Sequence, residues 1–217
     1  MSSFPTLSLL ETRVLGVLVE KQHTVPDTYP LTLNALLSGC NQKTSRDPVI
    51  EATEAEVQAA LDRLKSLSLA MESSGGRVMR YAQNAGKGLN LPPQSVALLT
   101  VLFLRGPQTA GELRINSDRL HKFGDILAVE GFLGELAEKG LVRELAKQPG
   151  ARETRWAHLV SGEPEVAVLS APARVTSESL TVSEIAAMRA DLDRLQGEVA
   201  ALKETVSRLC KELGVLP

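Results

Sequence analysis

Aromatic residues, cysteines and long hydrophobic runs are scarce in this 217-residue sequence. Aromatic residues make up 3% of the chain, which is thin for a fold that binds nucleic acid by stacking bases on aromatic rings. Cys40 and Cys210 lie far apart with no second cysteine near either, so neither a structural zinc site nor a disulfide framework is expected. No apolar run approaches the roughly 20 residues that a membrane-spanning helix needs. Since the first residues also lack the features of a signal peptide, we expect a cytoplasmic protein.

Motifs for catalysis and for cofactor binding are also missing. The sequence has no glycine-rich dinucleotide or phosphate loop and no HExxH pair. Its three histidines, His23, His121 and His158, fall in separate predicted elements without the spacing of metal ligands. The acidic residues fall at helix-capping positions and on solvated helix faces. We therefore expect a protein that is not an enzyme and that holds no cofactor or metal.

A weak internal repeat indicates the architecture. Residues 75–82 resemble residues 150–157, because a glycine, two arginines, an aromatic residue and an alanine recur in register. The apolar pattern of 60–67 likewise recurs at 132–139. Each copy reads as three helices and a β-hairpin, and the first copy has a longer insertion before its third helix. This order is typical of a winged helix-turn-helix domain, with a wingless three-helix bundle as the alternative.

The predicted fold class is mainly α with small β-hairpins (α+β), in two tandem winged-helix domains at 1–84 and 85–160. Three capping boxes predict helix starts, since each has Ser or Thr followed three residues later by Glu: Ser8 with Glu11, Thr53 with Glu56, and Thr109 with Glu112. Turn residues flanked by short apolar runs predict hairpins within 69–83 and 141–159.

The C-terminal part of the sequence predicts a linker and a coiled coil. Residues 161–180 are rich in Ser, Pro, Ala and Glu without a sustained period, as in linkers. Residues 181–217 carry a heptad pattern that favours a parallel two-stranded coil and hence a homodimer. The alternative is a helix that folds back on its own domains. The predicted dimerisation residues are Ile185, Met188, Leu192, Leu195, Val199, Leu202, Val206, Leu209 and Leu213.

Basic residues in the hairpins and in one loop are the candidate contacts to DNA. Strand alternation puts Arg80 and Arg155 opposite the neighbouring aromatic residues, so they should point outward, where a wing meets phosphate. The alternative is pairing with nearby Glu side chains. The polar 41–49 loop offers further cations, although Asn41 and Asp47 are better explained as cap and turn residues. The predicted DNA-binding set is Arg80, Arg155, Arg77, Arg152, Lys43 and Arg46.

Three stretches of the sequence, 9–21, 40–49 and 109–114, resemble the YceH-like family of bacterial proteins. The resemblance extends over roughly residues 7 to 160. It implies a tandem winged-helix fold without an established biochemical function. It defines no catalytic or ligand-binding residues that could be carried over to this chain.

Two functions follow as hypotheses. The first is a dimeric, regulatory DNA-binding protein whose outward arginines bind DNA weakly and with strong salt dependence. The second is an adaptor that uses the winged helices as a scaffold for a protein partner. The third helices begin with acidic residues and offer little to base edges, which weakens major-groove reading. The outward arginines and the predicted dimer nevertheless favour DNA binding.

Overall fold

A computed structural model describes residues 6–73, 78–147, 150 and 153–162 of the chain. These residues belong to one compact unit, Met1–Glu165. The coiled coil predicted for 181–217 lies outside the described residues, and so does the predicted linker after residue 162. Both therefore stay predictions, as does the dimer that depends on the coil.

The first repeat consists of three helices and a hairpin. Its elements are α1 (Leu9–Thr24), a short 3-10 helix (Pro26–Thr28), α2 (Leu33–Cys40), α3 (Glu54–Ser66), β1 (Ala70–Ser73) and β2 (Arg80–Gln83). The capping boxes predicted at Ser8 and Thr53 are both confirmed, since each side chain accepts the amide of a Glu whose carboxylate bonds back to the cap. Thr32 caps α2 in a simpler way, by accepting the amide of Ala35.

The second repeat has the same order after a connecting helix. Its elements are α4 (Ala85–Gly88), α5 (Pro93–Arg105), α6 (Ala110–Asn116), α7 (Ile126–Glu138), β3 (Val142–Glu144) and β4 (Trp156–His158). The predicted box of Thr109 with Glu112 begins α6, and Asp125 caps α7. Gly140 follows α7 with a positive φ of 70°, as the residue after a helix C-cap often does.

Each hairpin pairs with one residue that precedes the second helix of its repeat. β1 and β2 are antiparallel, and so are β3 and β4. Leu31 forms a bridge to Tyr81 on β2, and Gln108 forms the matching bridge to Trp156 on β4. The aromatic residues that recur in the sequence repeat thus occupy equivalent positions. The predicted fold class, mainly helical with small hairpins, is confirmed.

The two repeats share one hydrophobic core. α1 packs against α5, and Gly16 allows the close approach, because a Cβ at this position would lie 2.9 Å from Leu104 Cδ2. Val14, Leu18 and Leu102 are among the fully buried residues of this core. Tyr81 is buried, whereas Trp156 is only half-buried against the same core. Among the helices of the described residues, none has the length and apolarity needed to cross a membrane.

Candidate functional site

The hairpin arginines bond to the protein itself. Arg80 Nη1 donates to the carbonyl oxygens of Pro30 at 2.7 Å and Thr28 at 3.2 Å. Arg155 Nη1 donates to the carbonyl oxygen of Pro107 at 2.8 Å. The two prolines directly precede the residues that bridge to the hairpins. Each arginine therefore ties its hairpin to the segment before the second helix of its repeat.

Arg155 also forms an ion pair with Glu112, at 3.1 Å from Nη1 to Oε2. Both hairpin arginines remain exposed to solvent, as predicted. Their hydrogen bonds nevertheless leave fewer donors for a phosphate. Arg77 and Arg152, which complete the hairpin part of the predicted DNA-binding set, lie outside the described residues.

The 41–49 loop does not offer two exposed cations. Lys43 is exposed, and the described part of the chain gives it no hydrogen bond or ion pair. The expectation that Arg46 is an accessible cation is wrong, because its side chain has no exposed area. Its Nη2 lies 2.6 Å from Glu20 Oε2 and its Nη1 lies 3.1 Å from Glu20 Oε1. It also donates to the carbonyl oxygen of Gly39 from Nε at 3.3 Å.

Arg13 on α1 is a second buried guanidinium, which sequence reasoning missed. It donates to the carbonyl oxygens of Cys40 at 3.2 Å and Pro48 at 2.6 Å. Its Nε has no hydrogen-bond partner among the described residues. Burial and the neighbouring Arg46 lower the pKa of Arg13. No spacing signal could reveal this role, since Arg13 bonds residues 27 and 35 positions away.

The 41–49 loop is a structural brace. Asn41 ends α2, and its side-chain amide exchanges two 2.8 Å hydrogen bonds with the backbone of Ala52. The amide of Asp47 donates to the carbonyl oxygen of Leu104 at 2.8 Å, which joins the first repeat to α5. Burial raises the pKa of the Cys40 thiol to about 12, so this cysteine is a poor nucleophile. The two hydrogen bonds between Asn41 and Ala52 support the structural explanation of Asn41.

The third helices of the two repeats differ in what they expose. The start of α3 presents Glu54 and Glu56 to solvent. The start of α7 presents apolar side chains instead, with Leu127 75% exposed and Ile126 44% exposed. Sequence reasoning missed this surface, although four consecutive apolar residues at 126–129 exceed what one helix face can bury.

A cleft of about 350 Å³ lies where the end of α1, the 41–49 loop, α5 and α6 meet. Its cationic side chains are Lys21, Arg105 and Arg119. Its apolar lining comes from Val101, Leu104, Ile115 and Leu120. The cleft thus combines cationic groups with a smaller apolar lining, and it lies between the two repeats. No sequence pattern predicts this cleft, because it forms only when α1 and α5 pack together.

The described residues contain His, Cys, Asp and Glu side chains that could act as metal ligands. No group of three His, Cys, Asp or Glu side chains in that part of the chain is arranged to hold a metal ion. His158 packs edge-on against Phe103 with ring centroids 4.9 Å apart, and burial lowers the pKa of His158 to about 4. The imidazole is therefore neutral near neutral pH, and it has a packing role.

Comparison with known proteins identifies close relatives. Residues 7–151 match a family model described as "Protein of unknown function, DUF480". A UPF0502 protein of Methylibium petroleiphilum is 59% identical over 212 residues, which cover 96% of this chain and 91% of the relative. A UPF0502 protein of Dechloromonas aromatica is 56% identical over 213 residues, which cover 97% of this chain and 99% of the relative. The resemblance to an uncharacterised bacterial family is confirmed.

Proposed function

We propose that the chain, which belongs to the DUF480 family, is a non-enzymatic protein that binds a partner protein through the second repeat. The observation that carries this proposal is the exposed apolar start of α7, where Leu127 is 75% and Ile126 44% exposed. Contiguous exposed apolar patches on a folded protein mark interaction surfaces, whereas single exposed apolar residues are ordinary.

The position of α7 makes its apolar start informative. If each repeat is a winged helix, α7 corresponds to the helix that DNA-binding members insert into the major groove. Base edges in that groove are read mainly by Arg, Lys, Asn and Gln side chains. An Ile-Leu pair offers only methyl contacts to thymine and nothing to phosphate. The same pair is well suited to anchor a protein interface, whose centre is apolar and depleted in charge.

A third exposed apolar side chain lies on the neighbouring helix α6. Ile115 near the end of α6 is 74% exposed. Arg114 Nη2 donates to the carbonyl oxygen of Gly124 at 3.1 Å, which keeps the end of α6 beside the start of α7. We name Ile115, Ile126 and Leu127 the α6–α7 surface. Full burial of one such side chain contributes at most about 1.5–3 kcal/mol, so these three residues can form the apolar centre of a larger interface.

The hydrogen bonds of the cations weaken the case for DNA. Arg46 is buried against Glu20, and Arg80 and Arg155 bond to carbonyl oxygens of their own repeats. The acidic start of α3 would repel phosphate if the first repeat approached a duplex. These contacts favour the adaptor hypothesis over the DNA-binding hypothesis that the sequence alone favoured.

Site-specific photo-crosslinking in the bacterial cell tests the proposal. A photoreactive amino acid replaces Leu127 in the full chain, and a control chain carries it at Glu138, which is exposed at the other end of α7. We expect one defined protein to be captured at 127 and not at 138. That protein, once purified, should bind the parent chain and lose affinity by at least about tenfold when Leu127→Asp puts a charge into the interface.

A DNA titration tests the alternative function, DNA binding. Fluorescence anisotropy with mixed-sequence duplex DNA at low salt should detect no salt-dependent binding. If binding is detected, the Arg80→Ala/Arg155→Ala double variant of a dimer should flatten the slope of log affinity against log salt by about 3 to 4. That result, together with no specific capture at position 127, would return the preference to DNA binding.

A further inference from the structure

We infer that the cleft between the two repeats binds an acidic peptide segment of a partner protein. In this complex a carboxylate contacts Arg105 and Arg119, and an aliphatic side chain packs on Ile115 and Leu120. The inference rests on the proposed function, protein binding, and it specifies the chemistry of the bound segment. Apart from Ile115 at its rim, the cleft uses residues that do not belong to the α6–α7 surface.

The charge of the cleft is the first support. Of the described residues that line it, Glu20 is the single acidic one. Glu20 is already compensated, because Arg46 Nη2 lies 2.6 Å and Lys21 Nζ lies 3.2 Å from its Oε2. Arg105 donates to Ser45 Oγ at 2.9 Å and keeps further donors free. Arg119 is exposed and has neither a hydrogen bond nor an ion pair within the described ranges.

Two arginines without an acidic partner are suited to a carboxylate. The planar guanidinium donates two parallel hydrogen bonds to the two oxygens of one carboxylate, which gives strength and orientation. A phosphate would satisfy the same donors. The apolar part of the lining distinguishes the two ligands, because a phosphate or a nucleic-acid backbone would leave Ile115 and Leu120 in contact with water or with charge.

The shape of the cleft favours a peptide over a small metabolite. Ile115 is a lining residue and is still 74% exposed, so the cleft is open to solvent on that side. Small-molecule sites usually enclose most of their ligand. A volume of about 350 Å³ accommodates a few side chains of a segment whose backbone continues outside the cleft on its open side.

The cleft is also held in shape before any ligand binds. The Asp47 amide donates to the carbonyl oxygen of Leu104 at 2.8 Å, which fixes the 41–49 loop against α5. Asn116 Nδ2 donates to Gln108 Oε1 at 2.6 Å, which holds the end of α6. Lys21 Nζ donates to Gln42 Oε1 at 3.3 Å across the α1 side. A preformed site reduces the ordering cost of binding.

Selection from a random dodecapeptide display library on the immobilised full chain tests the inference. We expect enriched peptides to combine Asp or Glu with Leu, Ile or Phe. A synthetic copy of an enriched peptide should bind the parent chain, and Arg119→Glu should weaken that binding by at least about tenfold. Lys43→Glu is the matched control, since Lys43 is an exposed cation outside the cleft lining, and it should change affinity by less than about twofold.

Ile115→Ser separates a peptide from a polyanion. Ile115→Ser should lower the affinity for the selected peptide by a factor comparable to that of Arg119→Glu. It should leave any binding of inorganic phosphate or duplex DNA unchanged. Arg119→Ala serves as the second variant if circular dichroism shows that Arg119→Glu misfolds. The inference would be overturned if no peptides were enriched, or if the enriched peptides lacked acidic residues. It would also be overturned if the selected peptide bound the Arg119 variants as tightly as it binds the parent chain.

Leu127→Asp keeps this test independent of the proposed function. Leu127 does not line the cleft, so its substitution should weaken binding of the crosslinked partner by at least about tenfold and leave the affinity for the selected peptide unchanged. If the partner is captured at 127 but no acidic peptide is selected, the inference about the cleft fails and the proposed function stands. If the peptide binds as expected and no partner is captured, the α6–α7 surface is refuted while the cleft is supported.

Discussion

Two guanidinium groups lie buried at the 41–49 loop: Arg46, which belongs to the loop, and Arg13 of α1. Glu20 is the carboxylate that bonds Arg46. Burial raises the pKa of Glu20, but the hydrogen bond and charge of Arg46 and the charge of Lys21 outweigh that effect and lower it overall. Removal of Arg46 would leave the carboxylate without its bidentate partner. The pair therefore matters more for the stability of the loop than a surface ion pair would.

Arg46→Ala should lower the free energy of unfolding by about 2–4 kcal/mol, because it leaves a largely desolvated carboxylate and a free Gly39 carbonyl. Lys43→Ala, three positions earlier in the same loop, should change it by less than about 0.5 kcal/mol. Urea denaturation followed by circular dichroism measures both. Equal effects of the two substitutions would show that the Arg46–Glu20 pair contributes nothing.

The same pair predicts a pH dependence. Because the pKa of Glu20 is lowered in the folded state, its contribution to stability is complete above the unfolded glutamate pKa of about 4.3. That contribution is lost as the pH falls through the lower, folded value. The difference in unfolding free energy between the parent and Arg46→Ala should therefore be largest near neutral pH and shrink below about pH 4. A difference that does not change with pH would contradict this.

Local signals in the sequence predicted hydrogen bonds only between residues that lie a few positions apart in the chain. All three capping boxes join residues three positions apart, so the spacing itself carries the prediction. Arg46 bonds a residue 26 positions away, and its neighbours in the loop are polar, so the sequence favoured exposure. Arg80 and Arg155 reach backbone carbonyls 50 and 48 positions away, and no pattern of side chains can indicate such acceptors.

At the scale of elements, α7 has two apolar faces with different roles. Val129, Leu133 and Leu136 are fully buried in the shared core, as the helical period predicts. Ile126 and Leu127 belong to the α6–α7 surface and contribute little to that core. The helix itself could be predicted from its period and its Asp125 cap. Which apolar residues stay exposed depends on how α6 packs against α7, and the helical period of the sequence does not predict that packing.

Leu127→Asp should leave the unfolding free energy within about 0.5 kcal/mol of the parent, since the side chain is mostly in water already. Leu133→Ala on the buried face of the same helix should lower it by about 3–5 kcal/mol. Thermal and urea melts of the two variants provide the comparison. A large loss from Leu127→Asp would mean that this residue is structural and would remove it from the proposed interface.

The close approach of α1 to α5 at Gly16 leaves no room for a larger side chain at that position. A Cβ there would lie 2.9 Å from Leu104 Cδ2 and 3.1 Å from Leu104 Cγ, so Gly16→Val should lower the unfolding free energy by about 1–3 kcal/mol through overpacking. Gly131→Val on α7 is the control, because nothing lies within 4 Å of its Cβ position. It should be neutral to within about 0.5 kcal/mol. Chemical denaturation that ranks the two variants in the reverse order would refute the close contact.

At the scale of the whole molecule, the shared core and the contact of the 41–49 loop with α5 predict that the two repeats unfold together. The sequence repeat favours two domains with the boundary after residue 84, since it detects each copy but not their contact. The packing of α1 on α5 and the bond from Asp47 to Leu104 cross that boundary. Repeats that share apolar contacts of this kind lose part of their core when separated.

The single tryptophan of the chain, Trp156, allows this coupling to be measured, because it lies on β4 in the second repeat. Leu61 lies fully buried on α3 in the first repeat, and Leu61→Ala should lower the unfolding free energy by about 3–5 kcal/mol. If the unit is cooperative, the Trp156 fluorescence midpoint in urea should fall together with the circular dichroism midpoint. Leu136→Ala in the second repeat is the reference for a direct effect on that probe. A Trp156 midpoint that stays at the parent value in Leu61→Ala would show that the second repeat keeps its fold when the first is destabilised.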